Sequence, residues 1–324
     1  MRLATEFIRL PYRFDAERLR REVSAFEPSE WLPHVQDYAG NTSIPLISVG
    51  GEMNDDFNGP MKLTCKLENS PYLKQVLAAF GEVLGRSRLM GLEAHCRVPE
   101  HRDVNYHWYN RVRIHVPVIT HPGVLFHCGE RRVHMAAGEA WIFDSWKKHR
   151  VENNWDQKRV HLVIDTAGSA KFWEMVSASD WRCSDRCLKP AGIEDRFVAY
   201  EEGREVNILT ENFNAPLVMH PGEVDALIAD IIYDMRSFRG NDGAAANEFE
   251  RTLHQFRCEW RRLWSLYGQS RQGWPHYENL IRTIRLPRTP LTLASNLGSA
   301  AHTFSARVLA AALNVSLATQ YAVA

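Results

Sequence analysis

The stretch EHRDVNYHW, residues 100–108, sets His101 and Asp103 one residue apart. In a strand, residues i and i+2 project from one face, so an imidazole nitrogen and a carboxylate oxygen can address a single ion. A second histidine from a neighbouring strand would complete the 2-His-1-carboxylate facial triad of non-haem Fe(II) oxygenases, which leaves coordination positions open. The spacing alone is weak, since His276 and Glu278 repeat it in WPHYENLIRTIRL. That run has helical spacing, which sends i and i+2 to different sides. Downstream, GEAWIFDSWKKHRVENNWDQKRVHLVID has a strand ending near Phe143, a turn, and then His149; Arg159 follows at the start of another β run. A hairpin through NNWDQ would bring His149 and Arg159 to one cavity, where a planar guanidinium can hold a carboxylate through two parallel hydrogen bonds. The plain alternatives are a surface pair for His101 and Asp103 and a rim salt bridge for Arg159.

These side chains need strands to aim them. Between residues 88 and 166 the apolar runs RVRIHVPVI, GVLFHC, GEAWIFD and RVHLVIDT are short, rich in β-branched and aromatic residues, and separated by turn signals. That texture predicts an all-β sandwich or barrel. In RVRIHVPV, Arg113 and His115 alternate onto one face, with Arg111 a second basic candidate two residues earlier. His115 and His161 also admit a reading as satisfied core histidines, which is the reading preferred for His161. His121 and His127 fall at strand ends or in loops.

Helices flank this β region. Asp15 is the expected cap of a helix carrying Leu19, Val23 and Phe26. Ser70 and Pro71 open another, with a stripe from Leu73 through Val76, Leu77 and Phe80 to Leu84 and a stop at Gly85. After Gly168 the pattern turns helical. Val224, Leu227, Ile228, Ile231 and Met235 share one face. Phe249, Leu253, Phe256, Trp260, Leu263 and Tyr267 share another, and SFRGNDGAAAN links the two helices. The expected division is residues 1–168, an α/β lead-in with a β core, and residues 169–324, a helical region able to pack on the core or form a homo-oligomer.

The 324 residues carry 39 basic and 39 acidic side chains, a balance that argues against a nucleic-acid partner read through overall charge. Neither a basic-then-apolar leader nor an apolar run of membrane length stands out, so the chain reads as soluble and cytoplasmic, with no membrane partner. Six cysteines are too sparse for a disulfide scaffold, and the CxxxC pair Cys183/Cys187 lacks a second pair at zinc spacing and reads as structural.

The segments PEHRD, RVRIHVPV, VHMAAGEAWIFD, KKHRV and KRVHLVIDT, in this order, resemble the aspartyl/asparaginyl β-hydroxylase family of Fe(II)/2-oxoglutarate oxygenases, which includes bacterial hydroxylases of free L-proline. The resemblance covers roughly residues 85–168. It implies a mainly β fold with helices, a double-stranded β-helix (jelly-roll, cupin-like) core ahead of the helical C-terminal region. It also implies His101, Asp103 and His149 as iron ligands, Arg159 on 2-oxoglutarate, Arg113 and His115 on anionic groups of co-substrate or substrate, and a further role for His134. Fe(II), 2-oxoglutarate and O2 follow as cofactor and co-substrates, with an amino acid, free or within a peptide or carrier-bound, as substrate. Asp103 favours hydroxylation over halogenation, which requires that position empty. The competing reading is a non-catalytic jelly-roll module that binds metal or 2-oxoglutarate; a zinc-loaded cupin lacks a supporting H-x-H pair.

Overall fold

The computed structural model describes residues 1–33, 38–179 and 195–321, so the Cys183/Cys187 pair lies outside the described residues. Strands β1 (Phe7–Phe14), β2 (Leu32–Pro33), β3 (Asn41–Val49), β4 (Met61–Leu63), β5 (Val83–Leu92), β6 (Arg97–His101), β7 (Val112–Ile119), β8 (Val124–Cys128), β9 (Arg131–Val133), β10 (Glu139–Phe143), β11 (His149–Asn153), β12 (Arg159–Thr166), β13 (Arg196–Val198) and β14 (Leu209–Thr210) form two sheets. The larger runs β13-β1-β10-β7-β12-β5-β3-β2, with β4 beside β3 and β14 beside β5; the smaller runs β6-β11-β8-β9.

Alternation of side chains gives the large sheet two different apolar faces. On the outer face Ile44, Leu89, Ile114, Val116, Ile142, Leu162 and Ile164 pack against helices α1 (Ala16–Val23), α3 (Pro71–Ala79) and α5 (Ala170–Ala178), with the short α2 (Cys65–Glu68) beside them. On the inner face Phe7, Leu92, Trp141 and Phe143 meet Val98, Val124, Phe126, Val133 and Val151 of the small sheet. Fully burying one such aliphatic or aromatic side chain contributes about 1.5–3 kcal/mol, so both faces are strongly specified. This is a jelly roll backed by helices, and its space between the sheets is where inward polar side chains must go. Strand β12 lies between β5 and β7 and is buried throughout. Its ladder to β7 slips between Val160 and His161, opposite Pro117, which has no N–H to offer a central strand.

Two local expectations are corrected. Helix α3 ends at Ala79 because Gly81 takes a φ of +68°, and β5 then runs straight through Gly85, so Leu84 is a strand residue. Ser70 holds the N-cap position as expected, but its hydroxyl donates to the carbonyl of Lys66 at 2.7 Å rather than accepting from the first turn. The segment NNWDQ is no hairpin either: β11 pairs with β6 and β8, whereas β12 pairs with β5 and β7. The connection crosses from one sheet to the other. The Asn153 amide fixes the crossing by donating to the carbonyls of Leu92, Glu93 and Gln157 at 3.0, 3.0 and 2.9 Å.

The chain forms two compact units, Met1–Arg102 with Asn110–Asn214, and Asp103–Tyr109 with Ala215–Ala324. In the second, α6 (Pro221–Ser237) packs on α7 (Gly243–Tyr267), and α8 (Trp274–Thr283) follows. Asp242 caps α7, accepting from Ala245 N at 2.8 Å, so the linker is shorter than SFRGNDGAAAN and the alanines are helical. Trp260 stacks on Phe256 and meets the tilted ring of Tyr277 in its core. The segment after Asp103 is held there by Arg307, which is buried and donates to the Val104 carbonyl at 3.4 Å and to Asp230 at 2.9 Å. No described helix is long and apolar enough to cross a membrane.

Candidate active site

Strands β6 and β11 are antiparallel neighbours in the small sheet, in a register that sets His149 opposite His101. The two imidazole centroids lie 4.1 Å apart. Strand β6 ends at His101, so Asp103 sits just past the strand rather than within it. One ligand atom each from His101, Asp103 and His149 lies within 4.8 Å of the others. The Nδ1 atoms of His101 and His149 stand 2.8 and 2.9 Å from the carbonyl oxygens of Pro99 and Lys147. A carbonyl only accepts, so each proton sits on Nδ1 and each Nε2 presents its lone pair, the arrangement that orients a metal-bound histidine. Two imidazole nitrogens and a carboxylate form a donor set suited to a divalent transition metal.

Deeper between the sheets the inward face of β12 carries Arg159 and His161, and that of β7 carries His115. His115 packs against Phe126 and Phe143 at 5.3 Å each, and Phe143 in turn against His149 at 5.0 Å. A row of rings thus leads from His149 inward. Arg159 is 3% exposed; its Nη1 donates to the Met90 carbonyl at 3.2 Å, while its Nε has no partner among the described residues. Both ring nitrogens of His115 and of His161 are also buried without partners among those residues. Each such group left unsatisfied costs about 1–3 kcal/mol, so their concentration at one place marks a seat built for a polar ligand. Burial pulls the Arg159 guanidinium down to about 10. Burial, reinforced by nearby Arg113 and Arg159, holds His115 well below its ordinary 6.5, and burial with Arg159 does the same to His161. Both imidazoles are neutral; Arg159 brings a positive charge with no carboxylate beside it among the described residues, whereas Arg113, next to His115, is paired with Asp165. The seat fits a carboxylate.

The remaining candidates separate. Arg113 lies on the same face as His115 and donates to Asp165 at 3.0 Å. Beside it, Asp55 joins Arg86 at 2.9 Å and also Arg88, so guanidinium groups from β5 and β7 gather on one inner face. Burial pulls Arg86 down to about 9, and neighbouring Arg88 adds to the effect. Arg111 bonds Glu211 at 2.7 Å and the carbonyl of Asn214. His134 donates from Nδ1 to the Val124 carbonyl at 3.2 Å and is near enough to His161 to disfavour its protonation. His127 pairs with Glu152 and His121 stacks on Trp155. His161 is the residue misread from the sequence: it is core but not satisfied. The available signal was its i+2 spacing from Arg159 on an alternating strand.

Residues 16–168 match the aspartyl/asparaginyl β-hydroxylase family. A search of curated proteins gives no match. Among solved structures, a 2OG-Fe(II) oxygenase family oxidoreductase from Burkholderia pseudomallei is 12% identical over 47% of this chain and 78% of its own, with a TM-score of 0.34. A Pseudomonas putida prolyl-4-hydroxylase is 12% identical over 50% of this chain and 92% of its own, also at 0.34. A cupin domain from Bordetella pertussis Tohama I is 14% identical over 38% and 92%, at 0.23. Through residues 16–168, a little under half of its length, the chain is similar to the aspartyl/asparaginyl β-hydroxylase family.

Proposed function

We propose that the protein is an Fe(II)- and 2-oxoglutarate-dependent dioxygenase that hydroxylates an amino acid, free or as a residue of a peptide or carrier-bound substrate. The observation that carries this reading is the cluster of two histidines and one carboxylate, linked through Phe143 and Phe126 to a buried arginine that has no carboxylate partner among the described residues. Iron with 2-oxoglutarate, when bound, would supply oxygen activation coupled to loss of CO2 and formation of succinate.

The chain's own groups have distinct tasks. His101 and His149 offer Nε2, fixed by their Nδ1–H bonds to Pro99 and Lys147, and Asp103 offers its carboxylate. Arg159 and His115 would hold the far carboxylate of 2-oxoglutarate, replacing water with donors already in place. Phe126 and Phe143 line the route and keep it dry. With Arg111 taken up by Glu211, Arg113 is the better reader of a substrate carboxylate, its guanidinium steadied by Asp165.

The test is an anaerobic titration of the metal-free protein with Fe(II) and 2-oxoglutarate, following the visible charge-transfer band of the chelate. The band should require both components, disappear in His149→Ala and weaken in Arg159→Met. Succinate released on adding O2 and a panel of amino acids would identify an enzyme; a band without succinate across free and peptide substrates would favour the binding module. No band from a folded protein would overturn the assignment.

A further inference from the structure

Resting on that reading, we infer that His161 is a third arm of the 2-oxoglutarate seat, donating a ring N–H to the same far carboxylate that Arg159 and His115 hold. His161 follows Arg159 by two residues on β12 and so shares its inward face. It is fully buried, and neither ring nitrogen has a partner among the described residues. A packing role does not account for that. Its ring lies against Phe126, centroids 5.1 Å apart and planes inclined by 18°. A leucine or phenylalanine would make the same contact without burying two polar atoms. His115 stands 5.8 Å away, ring to ring, and is in the same condition.

The charge pattern says what kind of group is taken. Each neutral imidazole donates one N–H and adds no charge, so the seat combines one guanidinium with two uncharged donors. One positive charge matches one carboxylate. A phosphate dianion would bring a second charge, and the next guanidinium, Arg113, is already paired with Asp165. The slip in the β7–β12 ladder falls at His161 itself, where Pro117 stands opposite, so the backbone there is set by the bulge rather than by regular pairing.

The test compares two oxoacids on anaerobic Fe(II)-loaded protein: 2-oxoglutarate, and 2-oxopentanoate, which keeps the chelating end but lacks the far carboxylate. A hydrogen bond to a charged group corresponds to roughly 10–100-fold in affinity. His161→Leu and His161→Phe should each weaken 2-oxoglutarate by that factor, leave 2-oxopentanoate unchanged, and melt no lower than the parent. His161→Gln, which keeps an N–H, should recover part of the loss. Equal binding of 2-oxoglutarate by parent and apolar variants would overturn the inference alone. So would equal weakening of both acids. Absence of any band from the parent with either acid would overturn the oxygenase reading and the inference together.

Discussion

Replacing Arg159 by methionine separates a residue kept for folding from one kept for a ligand. Burial alone lowers the guanidinium from its ordinary value to about 10. A drop of that size corresponds to about 3 kcal/mol against holding the charged form in the folded protein. Methionine removes that cost and fills much of the same space. It forfeits the bond to the Met90 carbonyl and the contact with the Phe126 ring at 5.6 Å. Those two losses come to about 1–2 kcal/mol. The unliganded Arg159→Met protein should therefore be more stable by about 1–2 kcal/mol, a rise of roughly 2–6 °C in melting temperature. Calorimetry of metal-loaded protein with and without 2-oxoglutarate completes the experiment. The co-substrate should stabilise the parent by about 2.7 kcal/mol at a hundredfold excess over its Kd, and the variant by much less at the same concentration. A variant that melts lower yet responds to 2-oxoglutarate as the parent does would show that Arg159 is a structural cation, and the reasoning would fail.

Other outcomes follow from the same physics. Burial holds His115 and His161 below 6.5 in the folded state, so the unfolded chain binds more protons as pH falls through that value. Stability should decline below about pH 6.5, and His161→Leu should flatten the slope in a series of denaturant titrations. Asn153→Ala removes three donor bonds that fix the crossing between sheets and should cost about 2–3 kcal/mol. It should also weaken Fe(II) binding, because Asn153 ends the strand that carries His149. Arg307→Met breaks a buried pair with Asp230 and releases the Val104 carbonyl, which should cost about 3 kcal/mol. Amide exchange should quicken across Asp103–Tyr109; unchanged protection there would mean other contacts hold the segment.

What the sequence disclosed depends on the range over which each feature is determined. The facing of Arg113 with His115 follows from strand alternation, a local rule, and the helices α6 and α7 follow from apolar spacing in the same way. Their ends depend on single backbone conformations: Gly81 stops α3 where the apolar stripe alone points to Gly85. The crossing at NNWDQ was hidden because a short polar link joins two strands equally well within one sheet or between two. What decides it is the Asn153 amide reaching carbonyls about sixty residues back. Arg111 was ambiguous for a similar reason, since its partner Glu211 lies a hundred residues on. His161 is the instructive case. A histidine in a buried β run is ordinarily satisfied by a neighbour, and no sequence shows whether that neighbour is present. Only with both sheets in place do five buried nitrogens of Arg159, His115 and His161 stand together without partners. A core built for stability alone would not collect them. Natural folds violate local rules mainly where a ligand compensates, so the least satisfied part of this interior is also the part that most directly indicates its use.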